Sequence, residues 1–372
     1  MLADQEQNLP KNQAQWRAYR NGTQRKHHAR FLDFLLAHET SDPDDLNEVE
    51  RELMNVLSGM RGANTDQSYL EVIGYANILC RPESGCLGLR GYWQELCQLL
   101  EIAVQAASLI EKVREEGVLR SNLAVALLRL GKLDQAEQQA DKTLSRFEQA
   151  QEKNGQAKAR GVLATIARLR GEYDKAKREL EDLLVIFRAL DDQNSLAVTY
   201  TQLGRIAETM GDAKSAGEFF EQDLKIEKAL GNDRGIALAS WGLGNSAYMQ
   251  GDLETASGFY ENALTLLKKI GDKANLVGLL GQQANLLRKI NDLSGAEKLF
   301  WEVIKISEEL GEVATESIAL FNLSSMYRQA NNLPQAIALM ERVVMLEEAA
   351  GFADRERSRK ALAQLKLENG EV

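Results

Sequence analysis

The chain is predicted to be an all-α solenoid of stacked helix pairs, on three observations: a forty-residue internal repeat, helix-period apolar stripes and a scarcity of proline. The repeat is the primary signal, because a fixed period dictates the whole architecture. Alanine recurs at Ala136, Ala176, Ala216, Ala256, Ala296 and Ala336, every step forty residues with no insertion or deletion. The turn before each alanine repeats too, as Gly131, Gly171, Gly211 and Gly251 and then Asn291 and Asn331. Glycine and asparagine most readily enter the left-handed conformation that ends a helix, so the exchange is physically consistent. A second mark at Gly231, Gly271, Gly311 and Gly351 has the same period, ending one helix pair and starting the next.

Within each helix the apolar residues fall three and four apart, as in Leu253, Ala256, Phe259, Tyr260, Ala263, Leu264 and Leu267. That is a helix buried on one face. One pair cannot bury both its stripes, so the pairs must stack. The polar residue after each turn can cap the second helix, and Pro334 falls in a first helical turn, where its missing N–H is tolerated. Only 4 of 372 residues are proline, and Ala, Leu, Glu, Gln and Lys dominate, all good helix formers.

In chain order, residues 26–37 read as a short amphipathic helix, and Ser41-Asp42-Pro43-Asp44-Asp45 starts a second over Leu46 to Leu57. Tyr69 to Leu79 is the first helix of a degenerate repeat, interrupted by Arg81-Pro82-Glu83-Ser84-Gly85. Gly91, forty residues before Gly131, is its turn. The expected division is an N-terminal helical cap region (1–66), a degenerate first repeat (67–115), six regular repeats (116–350) and a capping helix with tail (351–372), the helix itself over 352–368.

Apolar residues make up 44% and charged residues 27%, as expected of a soluble folded protein. The net charge of −10 disfavours non-specific binding to a phosphate backbone. The densest basic cluster, Arg25-Lys26-His27-His28-Ala29-Arg30, reads as a solvated helix end. The start of the chain lacks the cationic and apolar regions of a secretory signal. No uncharged apolar run approaches the ~20 residues that span a bilayer. A cytoplasmic location is expected. Cys80, Cys86 and Cys97 are odd in number and confined to one stretch, so they are expected to be free thiols. A zinc site would need a fourth ligand, and His27, His28 and His38 lie far off in sequence. Neither metal nor cofactor is expected.

The run Gly242-Leu-Gly244-Asn-Ser-Ala247-Tyr248-Met-Gln-Gly251-Asp-Leu-Glu-Thr-Ala256 resembles the tetratricopeptide repeat (TPR). Small residues hold that motif's helix-crossing point at Ala124, Ala164, Gly204, Gly244, Ala284 and Ser324. The resemblance implies a right-handed superhelix with a concave face. The usual TPR period is about 34; a period of forty is similar to the long-helix variety of peptide sensors, cell-polarity scaffolds and large regulatory ATPases. Upstream, His28-Ala29-Arg30-Phe31, Val49-Glu50-Arg51-Glu52-Leu53-Met54-Asn55 and Arg90-Gly91-Tyr92-Trp93 resemble the entry to the TPR arm of STAND-type signalling ATPases. No Gly-x-x-x-x-Gly-Lys-Ser/Thr loop is present, so that family's nucleotide engine is missing. The resemblance then implies a sensor arm alone, free-standing or acting in trans.

Two chemical motifs are set aside. Gly242-Leu-Gly244-Asn-Ser-Ala247 fits a dinucleotide fingerprint but sits mid-helix without the preceding strand that binding needs. Carboxylate pairs such as Glu308-Glu309 and Glu347-Glu348 read as solvated surface. No nucleophile, base or metal set points to an enzyme.

In TPR stacks the first helix of each pair lines the concave face. Registering the repeats on the crossing residue gives groove candidates Lys158, Arg168, Gln202, Arg205, Glu208, Trp241, Asn245, Tyr248, Gln282, Asn285, Arg288, Lys289, Phe321, Asn322, Ser325 and Arg328. The set is basic although the chain is acidic. Asn245 and Asn285 stand where many peptide-binding TPRs hold the ligand backbone, and Trp241 and Phe321 are anchor types. The lysine of a chaperone-tail clamp is replaced by Trp241 and Gly281. The expected function is a non-catalytic scaffold or adaptor that holds an acidic or amphipathic segment of a partner protein, with no direct role for nucleic acid or membrane. A ligand- or peptide-sensing regulator in a larger signalling assembly is the alternative. Reversing the charge of Arg205 and Arg288 is expected to weaken binding without unfolding. The competing reading packs Trp241 between helices and pairs the arginines with neighbouring glutamates.

Overall fold

The structure, a computed structural model, describes residues 29–38, 43–81, 85–350 and 355–370. Every regular element among them is a helix. The chain forms two units, residues 1–195 and 196–372.

The first unit opens with α1 (residues 29–37), α2 (Pro43–Arg51), α3 (Leu53–Thr65), α4 (Tyr69–Leu79) and the short α5 (Cys86–Leu89). It continues with α6 (Trp93–Leu109), α7 (Val113–Arg129), α8 (Leu133–Gln149), α9 (Lys153–Leu169) and α10 (Tyr173–Ala189). The second unit takes most of α11 (Gln193–Thr209), then α12 (Ala213–Leu230), α13 (Asp233–Gln250), α14 (Leu253–Ile270), α15 (Lys273–Lys289), α16 (Leu293–Leu310), α17 (Val313–Gln329), α18 (Leu333–Ala350) and α19 (Arg355–Glu368).

The turns explain the regularity. Gly211 sits at φ +79°. The Asp212 N–H then donates to the Ala207 carbonyl at 2.9 Å and the Gly211 N–H to the Glu208 carbonyl at 3.0 Å, the paired bonds that satisfy a helix's last carbonyls. The same pair closes α7 at Gly131 and α15 at Asn291. Glu111, Gln151 and Asp191 take φ of 55°, 55° and 52° at the position that Gly231, Gly271 and Gly311 occupy later. The early repeats therefore keep the second turn without its glycine. Asp212, Asp252 and Asp292 accept from the backbone N–H three residues on, capping α12, α14 and α16. Lys132 and Glu172 make no such bond.

The alanines of the repeat, from Ala136 to Ala336, are all 0% exposed. They sit where the second helix of each pair crosses the first. In the second unit Tyr260, Phe300, Leu320 and Val343 fill the space between pairs, and the Ser324 hydroxyl donates to the Ala336 carbonyl at 2.8 Å. Gly242 and Gly244 lie buried within α13. A Cβ would come 2.5 Å from the Phe220 ring at one and 2.4 Å from Tyr260 at the other. The dinucleotide-like motif is thus a helix-packing feature.

A side-chain ladder ties the starts of successive first helices. Arg114 donates to Glu152 at 2.8 Å and Asn154 to Asp192 at 3.0 Å in the first unit, and Arg234 to Asp272 at 2.8 Å in the second. Each bond joins residues 38 apart.

Two sequence readings change. The helix expected over Leu46–Leu57 is broken at Glu52 (φ −90°, ψ 3°), which lets α2 lie on α5 while α3 packs on α4. Glu347 is buried rather than solvated and accepts from the Ser317 hydroxyl at 2.9 Å; Glu308, Glu309 and Glu348 pair with Arg342, Lys273 and Arg359. The basic cluster up to His28, Pro82–Ser84 and Gly351 lie outside the described residues. The three cysteines are free and buried, and burial pushes the thiols of Cys86 and Cys97 up to about 12 and about 11.

The N-terminal motifs meet in space. Tyr92 Oη donates to Glu50 at 2.6 Å, and Arg90, only 3% exposed, lies 3.2 Å from Glu50 and donates to Asn47 at 2.5 Å. The Arg-Gly-Tyr-Trp turn therefore clamps α2 onto the first repeat.

Candidate peptide-binding face

A first helix buries its crossing residue against its partner, so side chains two or three before it and one or four after it share the opposite stripe. In the second unit α11, α13, α15 and α17 present this stripe. It holds Gln202, Arg205 and Glu208; Trp241, Asn245 and Tyr248; Gln282, Asn285 and Arg288; and Phe321, Asn322, Ser325 and Arg328. Gln282 and Arg328 are exposed and the others half-buried, whereas Leu203, Leu243, Leu286 and Leu323 between them are buried.

Several of these side chains already have work inside the fold. Tyr260 Oη donates to Asn245 Oδ1 at 2.7 Å, so the carbonyl end of that amide is engaged. Lys289 Nζ stands 4.4 Å above the Tyr248 ring, within cation–π range. Phe321 packs on the core and faces Arg357 at 5.8 Å. Arg328 reaches Glu368 on α19 at 2.9 Å. Trp241 packs against α15: a Cβ on Gly278 would meet its ring at 2.8 Å, so glycine is what admits it. Arg205 lies beside Asp223, which is 1% exposed and accepts from the Thr201 hydroxyl at 2.5 Å. Burial, with Glu227 nearby, holds the Asp223 carboxyl up at about 7 despite the opposing pulls of Thr201 and Arg205.

Polar atoms on this face also lie unpaired inside the fold. Trp241 Nε1, a donor on α13, and Gln202 Oε1, an acceptor on α11, are both buried without a hydrogen-bond partner. Leaving such a group unpaired costs about 1–3 kcal/mol.

In the first unit the candidates are Lys158 and Arg168 on α9. Lys158 pairs with Asp192 at 3.0 Å. Burial raises the Asp192 carboxyl, but the Ser195 amide, Asn154, Lys158 and the Ser195 hydroxyl outweigh it and bring it down to about 2. Lys158 thus joins the ladder at Asp192. Arg168 is half-buried.

The internal partners Asp192, Asp223, Tyr260 and Glu368 are what sequence registration missed. They come from other helices, and no local pattern marks them. The first helices hold no cluster of metal-binding side chains among the described residues, and no described helix is long and apolar enough to cross a membrane.

Comparison with known proteins bears on the fold. The tetratricopeptide-repeat family model matches residues 115–189, 155–229 and 195–269, successive matches stepping by the forty-residue period. No curated protein sequence matches the chain. Among solved structures, the chain is similar to a Rap protein complexed with competence and sporulation factor, at 15% identity over 93% of this chain and 99% of that one, with a TM-score of 0.57. It is similar to the apo quorum sensor NprR from B. thuringiensis at 15% identity, covering 84% and 86% of the two chains, also at 0.57. A STAND protein with a tetratricopeptide-repeat sensor from Pyrococcus horikoshii aligns at 17% identity over 92% of this chain and 53% of that one. Its TM-score of 0.47 is too low to carry the N-terminal resemblance further. At these identities the likeness is one of fold. The repeat period, the turn chemistry and the family match agree, and residues 115–269 carry tetratricopeptide repeats.

Proposed function

We propose that the chain is a non-catalytic scaffold that binds a peptide or protein segment along the first helices of its second unit. The supporting observation is the stripe itself, on which amides, aromatics and cations stand half-exposed between buried leucines. Gln282, Asn285 and Arg288 form the accessible centre, and Arg288 gives the preference for an acidic or amphipathic segment. Arg205 is a poor probe, because reversing its charge would also disturb Asp223.

A peptide-sensing regulator is the second reading. It is favoured by the extent of the likeness to the Rap protein complexed with competence and sporulation factor and to the quorum sensor NprR. Both readings place the ligand on the same face. The test is capture of a binder and titration against Gln282→Glu/Arg288→Glu. A loss of at least about ten-fold in affinity with an unchanged melting temperature is expected, since a truncated anchor costs over about 1 kcal/mol. Equal affinity would move the site elsewhere.

A further inference from the structure

Aligned repeats put Asp223 and Glu227 of α12 at two positions that the other second helices give to their core. At the first stand Thr143, Leu183, Ala263, Val303 and Val343, all buried. At the second, Phe187 and Leu267 flank Glu227 in the neighbouring repeats, and both are buried. Glu347 shares the second position, but its helix keeps Val343 at the first. Only α12 carries a carboxylate at both. The apolar packing thins there: Ala207, Ala216, Phe220 and Leu243 make a small cluster of their own, apart from the core that joins α13 to α19.

The two carboxylates face the two neighbouring first helices. Asp223 Oδ2 lies 2.5 Å from the Thr201 hydroxyl of α11. The Glu227 carboxyl lies on the α13 backbone, where a Cβ on Gly235 would come 2.1 Å from it. Asp223 is 1% exposed, and its other oxygen, Oδ1, has no hydrogen-bond partner. The Thr201 hydroxyl has one proton and a second acceptor, the Ala197 carbonyl, at 3.2 Å. A charged Asp223 takes that proton away from Ala197. A protonated Asp223 donates to Thr201 Oγ1, and Thr201 then donates to Ala197, so both bonds form. The geometry suits the neutral acid.

The surrounding charges leave that preference in place. Burial raises the Asp223 carboxyl, Thr201 and Arg205 on α11 pull it down and Glu227 on α12 pushes it up, which leaves it at about 7. Glu208 of α11 acts on Tyr260, and Tyr200 lies against Phe219. Asp233 and Arg234 of α13 reach Lys269 and Asp272. The remaining charged residues of α12, Lys214, Glu218, Glu221, Lys225 and Lys228, are exposed.

We propose that α12 is a proton-operated joint of the repeat stack: protonated at Asp223 it holds α11 and α13, and charged at Asp223 it opens locally while α15 to α18 stay closed. Opening returns the carboxyl to water, where its ordinary value is 3.8. The open form therefore gains as pH rises from 3.8 to 7 and gains no further above 7. Because α11 and α13 begin the first-helix stripe, the joint couples partner affinity to pH on the reading of that stripe as a binding face; the joint itself does not depend on that reading.

The test is hydrogen exchange by mass spectrometry on the full chain at pH 5 and pH 8, each rate divided by the intrinsic exchange rate at that pH. Peptides of α12 should lose about ten-fold or more of their protection over this step, and peptides of α16 should keep theirs. Asp223→Asn should make α12 insensitive to the step. If melting curves show that this variant fails to fold, Asp223→Leu, the residue of the preceding repeat at Leu183, takes its place. Equal losses in α12 and α16 would mean global unfolding and overturn the joint. Unchanged protection of wild-type α12, or the same loss in the variant, would overturn it as well.

Discussion

Asp223 shows how one side chain can set a pH response. The folded protein holds its carboxyl near 7 against an ordinary value of 3.8, chiefly through burial. The fold therefore binds this proton more tightly than the unfolded chain does. The resulting stabilisation is complete below 3.8 and is lost as pH rises through 7. Asp223→Asn should raise stability at pH 8 by about 1–3 kcal/mol and change little at pH 4. Denaturant titration at both pH values measures this, and an equal effect at both would contradict it. The glycines supply a second residue-scale test. Gly242→Ala drives a Cβ into the Phe220 ring and should cost about 1–3 kcal/mol. Gly258→Ala, on α14 with nothing within 4 Å, should stabilise by about 0.5–1 kcal/mol. Thermal melts of the two variants should move in opposite directions.

At the scale of elements, the helices were legible from the sequence, and even Tyr69–Leu79, in the degenerate first repeat, has the bounds its pattern predicts. The break at Glu52 was not, because it follows from what α2 and α3 each pack against rather than from any local breaker. Nor were the left-handed turns at Glu111, Gln151 and Asp191, where the hydrogen bonds of the turn hold a residue that would not be chosen for it. The candidate stripe was legible as positions, since register alone fixes which residues share a face. Its internal partners were not. The ladder between repeats is likewise a tertiary feature, and its rungs differ in burial. Arg234 is 15% and Asp272 0% exposed by side chain, so Arg234→Ala strands a buried carboxylate and should cost about 3–5 kcal/mol. Arg114, with a side chain 71% exposed, makes the same bond in water, and Arg114→Ala should leave the denaturant midpoint unmoved. Comparable losses at both would show that burial does not set the strength of the rungs.

For the molecule as a whole, the repeat distributes function as well as stability. Each second-unit pair buries one small residue at its crossing and spends the opposite stripe on amides, aromatics and cations. The surface as a whole is acidic, so the cations that stay free of carboxylates mark where an acidic partner can approach. Arg328 is already paired with Glu368. That leaves the Gln282–Asn285–Arg288 segment of α15 as the centre of the proposed binding face. The decisive measurement is affinity capture from native lysate on immobilised wild type and Gln282→Glu/Arg288→Glu, followed by titration of the captured binder with each. A binder that loses about ten-fold or more in affinity for the Gln282/Arg288 variant, at equal melting temperatures, is the predicted result. A binder held equally by wild type and the Gln282/Arg288 variant would contradict the proposal that the first helices of the second unit form the binding face.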